Sequence, residues 1–386
     1  MLESFRVNVN PELLKWALES SGYTMEDVAH SVAVKPETVD SWLHGEAMPT
    51  WNQLKSLANK TKRPIAAFYL PQRPTEPPPP RDFRTSIQPS QRRFSPKLLQ
   101  QIRAARALRS NALDLLYEAE ELPSFEELPL FHVRDSTSSC AAVLRRFLSV
   151  SIEQQMKWPD SYAALNAWRD LLFERGVLVM QLPLAASETR GFSENYSELS
   201  LIVLSSKEDD PHPRIFTLFH ELCHLCLRRA GVSDPDIYVE ARGPNSFVER
   251  FCDRVAGEFL VPPAPAVQQL LESIVASGTV DMELLKRASN KLKVSQSAIL
   301  FRMVEQRYIP PQTYSEIREE WRSRESRRKS GPVPLPRRRV ASVGRSFTHL
   351  VLDALDQERL SAHEAGRCLG VAPKWLDAVR AEALDA

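Results

Sequence analysis

The sequence predicts a mainly α protein with one small β-sheet, an α+β core preceded by an all-α N-terminal domain. Three observations lead there. Apolar residues recur at helical spacing through most of the chain. Two runs read as strands, residues 176–182 and 199–205. Six prolines crowd residues 71–80 and set the helical stretch before them apart.

Length and composition set the bounds. The 386 residues suffice for two or three domains. A hydrophobic share of 43% and a charged share of 26% suit a soluble protein with a sizeable core. The formal charge of +1 marks no nucleic-acid partner by itself. The N-terminus does not read as a signal peptide, and no apolar run is long enough to span a bilayer. Five cysteines, an odd number, read as reduced thiols, so the expected compartment is the cytoplasm, with no membrane partner.

Residues 1–70 read as a compact helical domain. Thr24 can cap a helix carrying Val28, Ala29 and Val32. Val34 falls in a turn, and Pro36 suits the start of the next helix, with Val39, Trp42 and Leu43 inward and Gly45 as its stop. This pattern resembles the helix-turn-helix of the phage-repressor (XRE) family, and residues 49–58 fit that family's fourth helix. Such a module lays its second motif helix in the DNA major groove. Lys35, Thr38 and Lys55 are the candidate DNA contacts. Charge opposes a strong grip: residues 1–70 hold seven Lys/Arg against eight Asp/Glu, and Glu37 and Asp40 sit on the reading helix. Two readings stay open here, duplex DNA binding and docking on a protein.

Residues 71–97 read as a Pro-rich, basic linker. Residues 98–317 read as a second, larger domain. It opens with helices, the first striped with Leu98, Ile102, Ala105, Leu108, Ala112 and Leu115, and others over 141–148 and 162–173. The two strands follow. The second is a candidate edge strand for an extended substrate, with an ordinary core strand as the alternative. The loop 187–198, with Gly191, is placed at the border of the cleft.

The chemistry lies in residues 215–227, which hold His220-Glu-Leu-Cys-His224 in an apolar run. Residues four apart on a helix lie about 40° apart around its axis, so both imidazoles can reach one ion. Glu221 is offset to the side, where it can act as general base. The run is apolar nearly all round, which predicts a buried helix, and buried His and Glu are costly unless paired or bound to metal. Arg228 and Arg229 suit its negative end and Gly231 its stop. The plain alternative is two satisfied core histidines and a structural Glu.

A catalytic site needs a third protein ligand. Glu249 is the candidate, on a helix that Asn245 or Ser246 can cap and that Pro262 and Pro263 end; Glu240 is a weaker rival. Asp253, one turn on, can accept the second N–H of a ligand His. Tyr196, His212 and Tyr238 are weak candidates for an oxyanion donor. Cys223 and Cys252 lie close by, either near the ion or as buried thiols.

Arg214 to His224, Glu249 to Asp253 with Val255 and Ala256, and Leu260 to Pro262 together resemble the ImmA/IrrE metallo-endopeptidases. The resemblance implies a zincin-like α+β core over roughly residues 175–305. It implies zinc on His220, His224 and Glu249 with Glu221 as base, and manganese suits the same donors. The family usually has Ala-Asn where this chain has Cys252-Asp253. The implied substrate is a DNA-binding repressor, cleaved to derepress genes in stress response, mobile-element transfer or phage control. An Asp-Phe-Arg-Thr stretch such as residues 82–85 is common between the two modules of such fused proteins. The alternative is a DNA-binding regulator or toxin-antitoxin-like protein with a non-catalytic metal site.

Past the core, residues 318–345 read as a flexible basic tether. Residues 318–339 carry nine Lys/Arg and three Glu. Residues 346–386 read as a small helical piece. Val28/Val32/Val34, Ala288/Leu292/Val294 and Ala365/Leu369/Val371 share one spacing, which fits either repeated helix-turn-helix units or ordinary helix pairs.

Overall fold

The computed structural model describes residues 5–82, 94–119, 125–185, 188–207, 210–228, 231–232, 246–324 and 333–385. The chain divides into two compact units. One comprises Met1–Pro79 with Ile87–Ala104, the other Pro80–Ser86 with Ala105–Ala386.

The first unit holds α1 (Pro11–Ser21), α2 (Met25–Ser31), α3 (Pro36–Leu43), α4 (Trp51–Thr61) and a 3-10 turn at Ile65–Tyr69. Thr24 caps α2 in a reciprocal capping box with Asp27, as its sequence position leads one to expect. The core is Leu14, Trp16, Val28, Val39, Trp42, Leu54 and Phe68, all buried. The Pro-rich stretch is not a free spacer. It lies on this unit, where Arg63 donates to Glu76 at 2.9 Å and Arg73 pairs with Glu19.

The second unit begins with β1 (Arg81–Asp82). α5 (Pro96–Glu118) belongs to the first unit up to Ala104 and to this one from Ala105. Next come α6 (Thr137–Leu148), α7 (Ile152–Lys157), α8 (Ser161–Glu174), β2 (Val177–Leu182), β3 (Gly191–Glu194), β4 (Ser200–Ser205), α9 (Pro211–Cys226), β5 (Gly231–Val232) and α10 (Ser246–Leu260). Then follow α11 (Pro265–Val275), α12 (Met282–Leu292), α13 (Gln296–Glu305), α14 (Pro311–Arg324), α15 (Leu335–Val343), α16 (Arg345–Asp356), α17 (Ala362–Leu369) and α18 (Leu376–Asp385). No helix among the described residues is long and apolar enough to cross a membrane.

The sheet has the order β1-β5-β3-β4-β2. β4 pairs parallel with β2 and antiparallel with β3, so it lies inside the sheet and not at an edge. That corrects the edge-strand expectation. Its cause is β3, the segment read as loop: Gly-Phe-Ser-Glu is short and half polar, yet all four residues are buried.

Two further expectations change. α9 starts at Pro211, capped by Asp210, and stops at Cys226. Arg228 takes the left-handed conformation at φ 53, while Gly231 opens β5. Arg229 and Asn245 lie outside the described residues. The described residues of the expected tether 318–345 are largely helical. Residues up to 324 continue α14, and α15 docks on the core. Buried Arg169 donates to the carbonyls of Ala341 (2.8 Å) and Ser342 (3.2 Å), and Gln181 also donates to Ala341.

The three repeated patterns form the same turn. Ala33, Lys293 and Gly370 are left-handed, at φ 55, 58 and 66. The valine after each sends its N–H back five residues: Val34 to Ala29, Val294 to Ser289, Val371 to Gly366. This is the Schellman-type helix stop, with a second helix following at once.

Candidate metal centre

α9 and α10 carry the site, and packing fixes their relative position. From Ile215 to Cys226 every residue of α9 is buried. Phe219 of α9 stacks on Phe259 of α10 with centroids 4.1 Å apart, and Trp168 of α8 meets Phe219 edge-on at 4.9 Å. Arg145 donates to the Phe259 carbonyl and Gln155 to the Leu260 carbonyl, tying down the end of α10.

Between the helices, the donor groups of three side chains converge. His220 Nε2 lies 3.1 Å from His224 Nε2 and 3.3 Å from Glu249 Oε2. His224 Nε2 lies 3.2 Å from Glu249 Oε1. All three side chains are buried, and this trio is the metal-capable cluster found among the described residues. Ligand atoms about 2.0–2.1 Å from a tetrahedral zinc stand roughly 3.3–3.4 Å from one another. The donors therefore already stand near the edge length of such a tetrahedron.

Asp253 completes the arrangement from behind. Its Oδ1 lies 2.8 Å from His220 Nδ1. A proton on Nδ1 donates to Asp253 and leaves the Nε2 lone pair facing the cluster. Burial alone would pull the His220 imidazole down, but the carboxylates of Asp253 and Glu249 outweigh it and hold it well above its ordinary value. For Glu249 burial pushes up, and His224 and His220 outweigh it, so its carboxyl stays well below the usual range. Burial dominates at Asp253 and raises it despite His220. Two imidazoles and a carboxylate in one dry pocket call for a positive charge, as a proton or a cation.

Glu221, next to His220 on α9, is fully buried. It lies against β3: a Cβ on Gly191 would stand 3.4 Å from Glu221 Oε1. The expectation that Gly191 borders the site thus holds, though on a strand. The rest of the candidate list separates. Cys223 and Cys252 are free, fully buried thiols, and burial pushes Cys252 well above its ordinary value. Tyr196 donates to Glu194 at 2.8 Å, with burial and that carboxylate pushing it up to about 12. His212 pairs with Asp210 at the start of α9. Glu240 and Tyr238 lie outside the described residues. Lys35 and Lys55 are exposed and Thr38 is half-buried on the first unit, away from this chemistry in sequence and in unit.

Residues 174–303 match a peptidase family model, the IrrE N-terminal-like domain. The matched span runs from the end of α8 into α13 and contains all five residues of the centre. It supports the ImmA/IrrE resemblance over about a third of the chain. No curated protein matches the chain. The matched residues are thus similar to a peptidase-family domain and contain a buried His-His-Glu cluster able to hold a metal ion.

Proposed function

We propose that the chain is a zinc-dependent endopeptidase that cleaves a DNA-binding repressor and so switches on the genes it controls. The observation that carries the reading is the convergence of His220, His224 and Glu249, with buried Glu221 next to His220 in the same helix. A structural site has no use for a buried carboxylate at that position, whereas hydrolysis needs a base there.

His220, His224 and Glu249 would hold the ion, and Asp253 keeps His220 in the required tautomer. Zinc bound there supplies Lewis acidity, polarising the scissile carbonyl and making water acidic near neutral pH; manganese suits the same donors. Glu221 takes the proton of the attacking water and hands it to the leaving amine. The first unit serves recognition. The one-charge acidic excess of residues 1–70 and the exposed Glu37 and Asp40 favour docking on a repressor. The exposed Lys35 and Lys55, with Thr38, keep duplex DNA as the second reading.

Elemental analysis of the purified protein, paired with proteomics of cells expressing wild type or Glu221→Gln, tests the proposal. The variant should keep its metal and lose cleavage. A biological effect that survives Glu221→Gln sinks the peptidase reading. Salt-dependent retention on duplex DNA, lost without residues 1–70, would favour the DNA role.

A further inference from the structure

Strand β3 presents one face to α9. At its start, a Cβ on Gly191 would stand 2.8 Å from Thr217 Cγ2 and 3.4 Å from Glu221 Oε1. Just past its end, Asn195 Nδ2 donates to the Leu225 carbonyl at 3.4 Å. Strand and helix therefore run side by side, and alternation puts Ser193 on the same face, midway. Ser193 looks onto the turn from Glu221 to Leu225, whose polar side chains are Glu221 and His224. It is fully buried, and its hydroxyl has no hydrogen-bond partner among the described residues. Buried hydroxyls are normally satisfied, so one aimed at a polar site marks a contact that the working site completes.

We propose that Ser193 is a positioning residue whose hydroxyl donates to the Glu221 carboxylate and sets its orientation toward the attacking water. This deepens the peptidase reading and rests on it. A donor on one oxygen fixes the rotation at which the other meets the water.

The full chain is compared as wild type, Ser193→Ala, Ser193→Thr and Ser193→Val, each loaded with zinc or cobalt. Thr keeps a hydroxyl and Val matches its shape without one, so the pair separates hydrogen bonding from bulk. With a quenched fluorescent peptide library, kcat should fall about ten-fold in the Ala and Val variants and recover in Thr. KM, zinc affinity and melting temperature should hold in Ala, which only removes the oxygen. The visible bands of the cobalt-loaded protein need no turnover. They should shift in the Ala and Val variants toward the spectrum of Glu221→Gln. A fall in zinc affinity with kcat retained would put the hydroxyl on His224 and overturn the assignment. So would rates and cobalt spectra indifferent to the hydroxyl. If wild type cleaves nothing, the peptidase reading fails alone, and the cobalt spectra still decide the Ser193 contact.

Discussion

Asp253→Asn puts the site's support to the test without touching a ligand. Asp253 is 9% exposed, and its Oδ1 sits 2.8 Å from His220 Nδ1. The amide can still accept that N–H, but the charge that strengthens the contact and makes the imidazole a better donor is gone. Partners of this kind change metal affinity by about 10- to 100-fold, or about 1.4–2.7 kcal/mol. Asn, which keeps a neutral hydrogen bond, belongs at the ten-fold end. Asp253→Ala, which leaves Nδ1 without an acceptor, belongs at the hundred-fold end. Competition against a chromophoric chelator measures both, with His224→Ala as the reference for loss of a ligand. If both Asp253 variants bind zinc within two-fold of wild type while His224→Ala does not, the support role is refuted.

Gly191→Ala would set a Cβ 2.9 Å from the Val203 carbonyl and 2.8 Å from Thr217 Cγ2. The carbonyl is fixed in the sheet, so urea unfolding should show a loss of about 1–3 kcal/mol, with activity falling as Glu221 is displaced; unchanged stability and activity would mean the strand is not so close. Metal affinity should rise with pH through neutrality, since burial lowers the His220 pKa less than Asp253 and Glu249 raise it. Below that raised value each ion bound expels a proton, and above it the rise levels off; a zinc titration flat from pH 6.5 to 8 would contradict this. Arg169→Leu removes the donor to Val179, Ala341 and Ser342. A cost of about 2–4 kcal/mol and faster protease cleavage around α15 are expected, because buried carbonyls lose their partner. Resistance equal to wild type would show that α15 holds without the clamp.

What was legible in the chain was what local geometry decides. The four-residue spacing of His220 and His224 sets their common face whatever surrounds them, and the period of α10 brings Glu249 and Asp253 to one side one turn apart. Thr24 and Pro36 mark helix starts by the same local logic. β3 was hidden because nothing in four residues says they will be buried. Its place depends on β4 and β5, and Glu194 is tolerable there because Arg106, from 88 residues away, pairs with it and Tyr196 donates to it. Residues 335–343 read as solvated because arginines dominate them, yet the contact that holds α15 uses backbone carbonyls, which composition does not report. The apolar run from Ile215 marks the middle of α9 but not its start, which Asp210 and Pro211 set one turn earlier.

The cluster draws its donors from two helices, His220 and His224 from one and Glu249 from the other. An ion held there is therefore also a staple across the hydrophobic centre. A ligand that binds only the folded chain, present at a hundred times its dissociation constant, adds about 2.7 kcal/mol against unfolding. Scarcity of the metal would then shorten the lifetime of the molecule as well as silence it, and the cell's supply of one trace element would govern how much of this protein survives.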